Sequence, residues 1–313
     1  MKNKLAVILP AYNEELTIQD TIMDFFTQLP DAQIIVIDNN SSDNTFKLAQ
    51  KTIQENNING KVLFEGFQGK GFAVRKAFVE IDADIYIMAD ADMTYPAKDV
   101  HKLMKPILED KADIVIGDRH SGGNYAEENK RNLHGFGNSL VKNMINFLFR
   151  SDLKDIMSGY RIFNKKFVKN YPIMVSGFQL ETDMTLHTLD KRFRILEIPI
   201  DFIDRPEGSF SKLNTFSDGF KVIFTILNIF RIYKPLKFYG IISFIFTFFT
   251  FIVGGVVINE FIQYKVINHI PLAILSVGLG IVSVLSFSLG LILDAITHQH
   301  NVDFEHKLID YKK

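Results

Sequence analysis

From Phe238 to Ile258 the chain runs for 21 residues without a formal charge, and from Ile270 to Leu293 for another 24. About 20 apolar residues suffice for a helix to cross roughly 30 Å of hydrocarbon. In hydrocarbon every backbone N–H and C=O must be paired within the segment, so stretches of this kind are held to helix. The connector, Asn259–His269, is short, which makes the pair a hairpin with both ends on one side. Arg231, Lys234 and Lys237 precede the first span, Lys307, Lys312 and Lys313 follow the second, and the connector's one cation is Lys265. The positive-inside rule then places both ends in the cytoplasm, on a multi-pass cell-membrane protein. A buried hairpin in a soluble core passes the same length test, but two such spans seldom occur there back to back. The phenylalanines, 29 in all, concentrate toward this C-terminal third, as lipid contact favours. Just upstream, Phe216–Tyr233 sets Phe220, Ile223, Phe224, Leu227 and Phe230 on one side, a helix suited to the membrane interface.

The first 120 residues have another rhythm. Short apolar runs at Leu5–Leu9, Gln33–Ile37, Val62–Phe64, Asp84–Ala89 and Asp113–Gly117 alternate with helix-like stretches at Glu14–Gln28, Asp43–Asn57, Gly69–Ile81 and Ala97–Glu109. This is the βαβ pattern of an α/β domain with a mostly parallel, Rossmann-like doubly wound sheet. The start, Met1-Lys2-Asn3-Lys4 before Leu5–Leu9, has the look of a signal peptide, but the apolar run stops at Pro10 and reads as a buried strand. Residues 121–130 are polar and read as a loop, followed by a helix over Arg131–Phe149.

In such sheets ligands bind beyond the carboxyl ends of the strands. Polar clusters stand at four of those ends: Tyr12-Asn13-Glu14, Asp38-Asn39-Asn40, Asp90-Ala91-Asp92 and Asp118-Arg119. Two carboxylates at i and i+2 after a buried strand suit a hard divalent cation that also holds a diphosphate. Composition removes other chemistries. Lys+Arg 35 against Asp+Glu 36 leaves a charge of -1 and no basic field for nucleic acid. With no cysteine there is no disulfide, zinc–thiolate site or cysteine nucleophile. The eight histidines show no metal-ligand spacing, and His298 and His300 read as solvated in a polar cytoplasmic tail over 295–313.

Pro10-Ala11-Tyr12-Asn13-Glu14-Glu15, Asp38 to Thr45, Gly69-Lys70-Gly71 and Asp90-Ala91-Asp92 resemble the signature blocks of family-2 glycosyltransferases with the GT-A fold. Ser158-Gly159-Tyr160-Arg161 and Arg205 to Leu213 sharpen the resemblance. With the membrane hairpin, the set is similar to the polyprenyl-phosphate branch, the relatives of dolichol-phosphate mannose synthase. The resemblance implies a catalytic domain over 1–213, a juxtamembrane region over 214–236 and two transmembrane helices within 237–294.

It also implies roles. Pro10, Tyr12, Glu14, Asp38 and Asn40 would hold the nucleoside, although many relatives carry Asp-Asp-Gly in place of Asp38-Asn39-Asn40. Gly69 and Lys70, at a helix start, would face the donor's phosphates. Asp90 and Asp92 would coordinate Mg²⁺ or Mn²⁺ on the diphosphate, with the identity of a third ligand open at Thr94. Arg119 and Arg131 would receive the lipid phosphate, with Ser158 and Arg161 beside them. Asp155 and Arg161, which flank the Ser158-Gly159 turn, would shape the site near the sugar, an internal ion pair being the other reading. Arg205, Ser209 and Lys212 lie on a loop that would close over the diphosphate or else contact lipid headgroups.

The implied reaction is inverting transfer of a hexose from a nucleotide sugar to undecaprenyl or another polyprenyl phosphate. The donor is expected to be UDP-glucose or UDP-N-acetylglucosamine, with GDP-mannose the alternative. A downstream flippase and a lipid-sugar-dependent transferase would consume the product in building the cell envelope. Gly254-Gly255, Gly278 and Gly280 would permit close helix contact, including between copies of the chain. Polysaccharide synthases share the early blocks but carry a Gln-x-x-Arg-Trp motif, and this chain has no tryptophan. A non-catalytic membrane subunit that binds a sugar nucleotide is the competing reading from another class.

Overall fold

The computed structural model describes residues 3–121, 132–177, 179–206 and 218–311. Two compact units divide between Phe216 and Ser217.

The first unit is the α/β domain. Its elements are β1 (Leu5–Ala11), α1 (Ile18–Gln28), β2 (Gln33–Asp38), α2 (Thr45–Glu55), β3 (Gly60–Phe64), α3 (Lys70–Glu80), β4 (Ile85–Met88), α4 (Val100–Leu108) and β5 (Ile114–Asp118). Then follow α5 (Asn132–Phe149), β6 (Arg161–Asn164), α6 (Lys165–Asn170), α7 (Leu180–Asp190) and β7 (Ile195–Pro199). The described strands form one sheet in the order β3-β2-β1-β4-β6-β5-β7. Ala6–Leu9, Ile34–Ile37, Ile85–Met88 and Ile114–Ile116 are buried, because helices cover both faces of a parallel sheet and leave no solvent face to alternate toward.

One strand breaks the parallel pattern. β6 runs antiparallel between β4 and β5, with Arg161 opposite both Met88 and Ile116. Its first residue therefore lies beside the last residue of β4 and two residues short of the end of β5. The reversal carries the Ser158-Gly159 turn to the same edge of the sheet as Asp90 and Asp118. Pro10 sits near the end of β1, beyond the last β1–β4 pair at Ile8 and Met88, where its missing N–H costs no ladder bond.

The first helix starts later than periodicity predicts, at Ile18 rather than Glu14. Asn13 adopts a left-handed φ of 53°, the Glu14 N–H donates to Thr45 Oγ1 at 2.8 Å, and the Glu15 N–H donates to Asp43 Oδ2 at 3.1 Å. These bonds hold 13–15 against the start of α2, so Glu14 stands at a strand end and not in the helix.

In the second unit, α8 spans Asp218–Tyr233, α9 spans Pro235–Tyr264 and α10 spans Ile270–Tyr311. Both α9 and α10 are long and apolar enough to cross a membrane. They run beyond the charge-free stretches, and the connector shortens to residues 265–269, with Lys265 left-handed at the end of α9. The expected polar tail after Leu293 is helical as far as Tyr311. Small residues bring α9 and α10 together: Ser283 Oγ donates to the Ser243 carbonyl at 2.9 Å and lies 2.6 Å from Thr247 Oγ1. Phe244, Phe248, Phe251, Val277, Val284 and Leu285 stand exposed around this seam, and so do Phe224 and Leu227 on α8.

Candidate active site

Asp38 ends β2 and is buried. Its Oδ2 accepts from the Ser41 N–H at 3.3 Å, whereas Oδ1 is buried without a protein donor. Buried acceptors are nearly always satisfied, so this oxygen is left for a donor from outside the chain, a ligand or water. Asn39 accounts for its departure from Asp. Its side-chain nitrogen donates to the Phe67 carbonyl at 2.7 Å, and its oxygen accepts from the Gly69 N–H at 2.7 Å. A carboxylate could not donate the first of these bonds. Asn40, exposed, takes φ 60°, the left-handed conformation that asparagine tolerates better than most residues in glycine's place. Tyr12 and Pro10 are half-buried on the neighbouring strand end.

The two aspartates after β4 are held differently. Asp92 is buried, and its Oδ1 accepts from both the N–H and the hydroxyl of Thr94, at 3.1 and 2.6 Å. Its Oδ2 lies 2.5 Å from the Arg205 guanidinium, which also approaches Glu14 at 3.7 Å. Met93 sits between them at φ 64°, a strained conformation for this residue that lets Thr94 fold back on Asp92. Burial, and then the Asp90 charge, push the Asp92 carboxyl above its usual range against the pull of Arg205. Asp90 is partly exposed and pairs with Lys70. Lys70 is itself bridged to Glu181, at the start of α7, at 2.5 Å. Burial would lower the Lys70 pKa, but Asp90 and Glu181 outweigh it and the net direction is upward.

These residues fit a divalent cation. Two carboxylates close enough for one to raise the other's pKa make an anionic pocket beside a cationic rim. Among the described residues no cluster of three or more acidic or histidine side chains offers a closed cage. Mg²⁺ and Mn²⁺ on a diphosphate need only one or two carboxylates, with phosphate oxygens and water completing the shell. Thr94 serves as a hydrogen-bond donor to Asp92.

The glycines have structural partners of their own. A Cβ on Gly159 would meet Asp90 Oδ2 at 2.7 Å, so this glycine lets the aspartate reach the sheet edge. A Cβ on Gly71 would lie 1.9 Å from the Val175 carbonyl oxygen, and one on Gly69, at φ 138°, 2.1 Å from that of Ser176. The Gly71 N–H donates to Ser176 O at 3.0 Å. The close approach predicted at Gly69-Lys70-Gly71 thus serves the 175–176 backbone, while Lys70 alone turns to the carboxylates.

Beyond β5, Arg119 and Asp155 form a two-pronged pair, Nε to Oδ2 at 2.7 Å and Nη2 to Oδ1 at 2.8 Å. Burial would raise the Asp155 pKa, but the Arg119 guanidinium more than offsets this and holds it below the carboxylate norm. Glu197, on β7, accepts from the backbone N–H groups of Lys154 and Asp155, at 2.7 Å each, and fixes the loop that presents the pair. Arg119 also lies over the Phe202 ring, 5.6 Å from its centroid.

Arg161 differs from its expected place. It is wholly buried, and its guanidinium donates to the carbonyls of Ser158 and Ile156 and to Thr185 Oγ1, at 2.8, 2.7 and 3.0 Å. It braces the 156–158 loop from inside, and Ser158 is buried with it; neither meets an acceptor from there. Arg131, Ser209 and Lys212 lie outside the described residues. Sequence reasoning missed Glu181 and Glu197. An acid in a helix's first turn reads as a dipole charge, and one in an edge strand reads as solvated.

The model of the family described as glycosyl transferase family 2 matches residues 6–171, more than half of the chain. The glycosyltransferase AglJ of Haloferax volcanii is 29% identical, over 95% of this chain and 94% of that protein. The dolichol-phosphate mannosyltransferase of Pyrococcus furiosus is 28% identical, over 85% of this chain and 73% of its own. Among solved structures, glucosyl-3-phosphoglycerate synthase from Mycobacterium tuberculosis, in complex with Mn²⁺, UDP and phosphoglyceric acid, aligns with a TM-score of 0.56 at 20% identity. The alignment covers 72% of this chain and 78% of that one, a likeness of fold.

Proposed function

The chain belongs to glycosyl transferase family 2, and from that membership we propose that it transfers a hexose from a nucleotide sugar to the phosphate of a membrane polyprenyl lipid, with inversion. The observation that carries this reading is the convergence, at one sheet edge, of an unsatisfied Asp38 oxygen, the Asp90–Asp92 pair with its two cations, and the Arg119–Asp155 pair. The apolar helices α9 and α10 favour a lipid acceptor in a membrane. The name of the Pyrococcus relative, a dolichol-phosphate mannosyltransferase, points the same way.

Asp38 and Glu14 would bind the nucleoside. Asp90 and Asp92 would hold Mg²⁺ or Mn²⁺, which when bound neutralises charge on the departing nucleoside diphosphate. Lys70 and Arg205 supply fixed positive charge to the same oxygens. Arg119, aligned by Asp155, and Arg131 would place the acceptor's phosphate oxygen against the anomeric carbon. A phosphate monoester has its second pKa near about 6, so the acceptor needs positioning more than deprotonation. Asp155, with both oxygens on Arg119, acts here as an orienting group. We assign the donor to the UDP-hexoses, the acceptor to undecaprenyl phosphate, and the catalytic domain to the cytoplasmic face.

The test is radiolabel transfer by purified protein in detergent, given undecaprenyl phosphate, Mg²⁺ or Mn²⁺, and a panel of UDP- and GDP-sugars. Label reaching the organic phase with one UDP-hexose, and lost in Asp92→Ala, is the expected result. Transfer from GDP-mannose alone would replace the donor assignment. Nucleotide binding without any lipid product would leave a binding subunit as the better reading.

A further inference from the structure

The cluster around Asp90 and Asp92 joins four carboxylates, Glu14, Asp90, Asp92 and Glu181, to two cations, Lys70 and Arg205. With all six ionised, two negative charges are left over, the complement of one divalent cation. A cation arriving at Asp90 and Asp92 takes a carboxylate partner from both Lys70 and Arg205. The two are placed unequally for that loss. Arg205 lies on the segment leading out of the domain, and its other carboxylate in this cluster, Glu14, is 3.7 Å away. Lys70, at the start of α3, keeps only 11% of its side chain exposed, and its other carboxylate, Glu181, is buried and 2.5 Å away. A buried ammonium stripped of its partner costs several kcal/mol, so Lys70 can share or yield Asp90 only while Glu181 remains.

We infer that Glu181 is a positioning residue for the metal and diphosphate site: it retains Lys70 at the site when Asp90 turns to the metal. Glu181 does not touch the reacting atoms. It makes Asp90 available by keeping Lys70 satisfied, and it holds the ammonium where the donor's phosphates arrive. The buried first turn of α7 explains why a carboxylate is tolerated there: its charge is matched by Lys70 and favoured by the helix N-terminus. This inference rests on the metal reading of Asp90 and Asp92.

The experiment is direct Mn²⁺ binding to the full-length protein in detergent, followed by the loss of free-Mn²⁺ electron paramagnetic resonance signal. Wild type, Asp92→Ala, Glu181→Gln, Lys70→Met and the Glu181→Gln/Lys70→Met pair are compared, with thermal unfolding as the control for folding. Glu181→Gln is expected to weaken Mn²⁺ binding by about tenfold, within the usual range of coupling between groups. Adding Lys70→Met is expected to restore it, because the ammonium that would otherwise occupy Asp90 is gone. Damage to α7 alone would leave the double variant as weak as the single one, and that result overturns the inference, as does unchanged affinity in Glu181→Gln. Wild-type binding no stronger than that of Asp92→Ala would overturn the metal reading and this inference with it.

Discussion

At the residue scale, Asp92 is held in a state that the fold alone does not favour. Burial and the Asp90 charge raise its pKa, so the ionised form costs more in the folded protein than in the unfolded chain. The sign follows from linkage. The cost of ionised Asp92 is absent in acid and appears as pH rises above the ordinary carboxylate value of 3.8. Asp92→Asn is therefore expected to unfold at a higher temperature than wild type at neutral pH, while transfer falls at least about a hundredfold. Thermal scans and initial rates on the same preparation check both. Asp155 has the opposite sign. Its folded pKa lies below 3.8, so its contribution is full above that value and lost as pH falls through the lower one. Asp155→Asn leaves the half-buried Arg119 guanidinium with an amide where it had a buried, two-pronged carboxylate, which is expected to cost about 3 kcal/mol at neutral pH. Denaturant titrations at stepped pH should show the gap between variant and wild type closing in acid. Asp38, Asp90 and Asp92 were legible as acids at strand ends because each follows an apolar run. Arg161 was not, since an arginine in a sequence shows nothing of whether carbonyls or a ligand will meet it.

Elements decide which of these side chains meet. The strands β1, β2, β4 and β5 could be read from apolar runs, and α2, α3 and α4 from amphipathic period. The reversal of β6 could not, because a run as short as Arg161–Asn164 looks the same in either direction. Yet it is β6 that sets Gly159 against Asp90 and brings the 155–158 loop to Arg119. The start of α3 is a second such case. Glycine at 71 leaves room for the Val175 carbonyl, and the 175–177 segment leads directly to α7 and Glu181. Gly71→Ala is expected to destabilise the domain by about 1–3 kcal/mol, as overpacking does. It should also weaken Mn²⁺ binding, since displacing 175–177 moves Glu181 from Lys70. Thermal unfolding and Mn²⁺ titration of this variant measure the two effects separately.

Over the whole molecule, the chain divides between Phe216 and Ser217 into two compact units, each with its own chemistry. The first buries its apolar side chains under helices. The second leaves Phe244, Phe251, Val284 and Leu285 exposed, as residues that contact lipid would be. A chain ended at Phe216 is expected in the soluble fraction and the full chain in the membrane pellet, which fractionation and blotting would read. The truncated chain should keep Mn²⁺ binding and lose most transfer to a long polyprenyl phosphate. Hydropathy and period were enough to divide the chain, choose the α/β class and mark the strand ends where the polar clusters stand, since those depend on how each segment meets solvent or lipid. Pairing belongs to the folded chain alone. Lys70 stands 111 residues from Glu181, and Arg119 stands 36 from Asp155. A charge's partner is set by distance and burial in three dimensions, and only the antiparallel β6 and the packed 175–177 segment bring those distances down to a hydrogen bond.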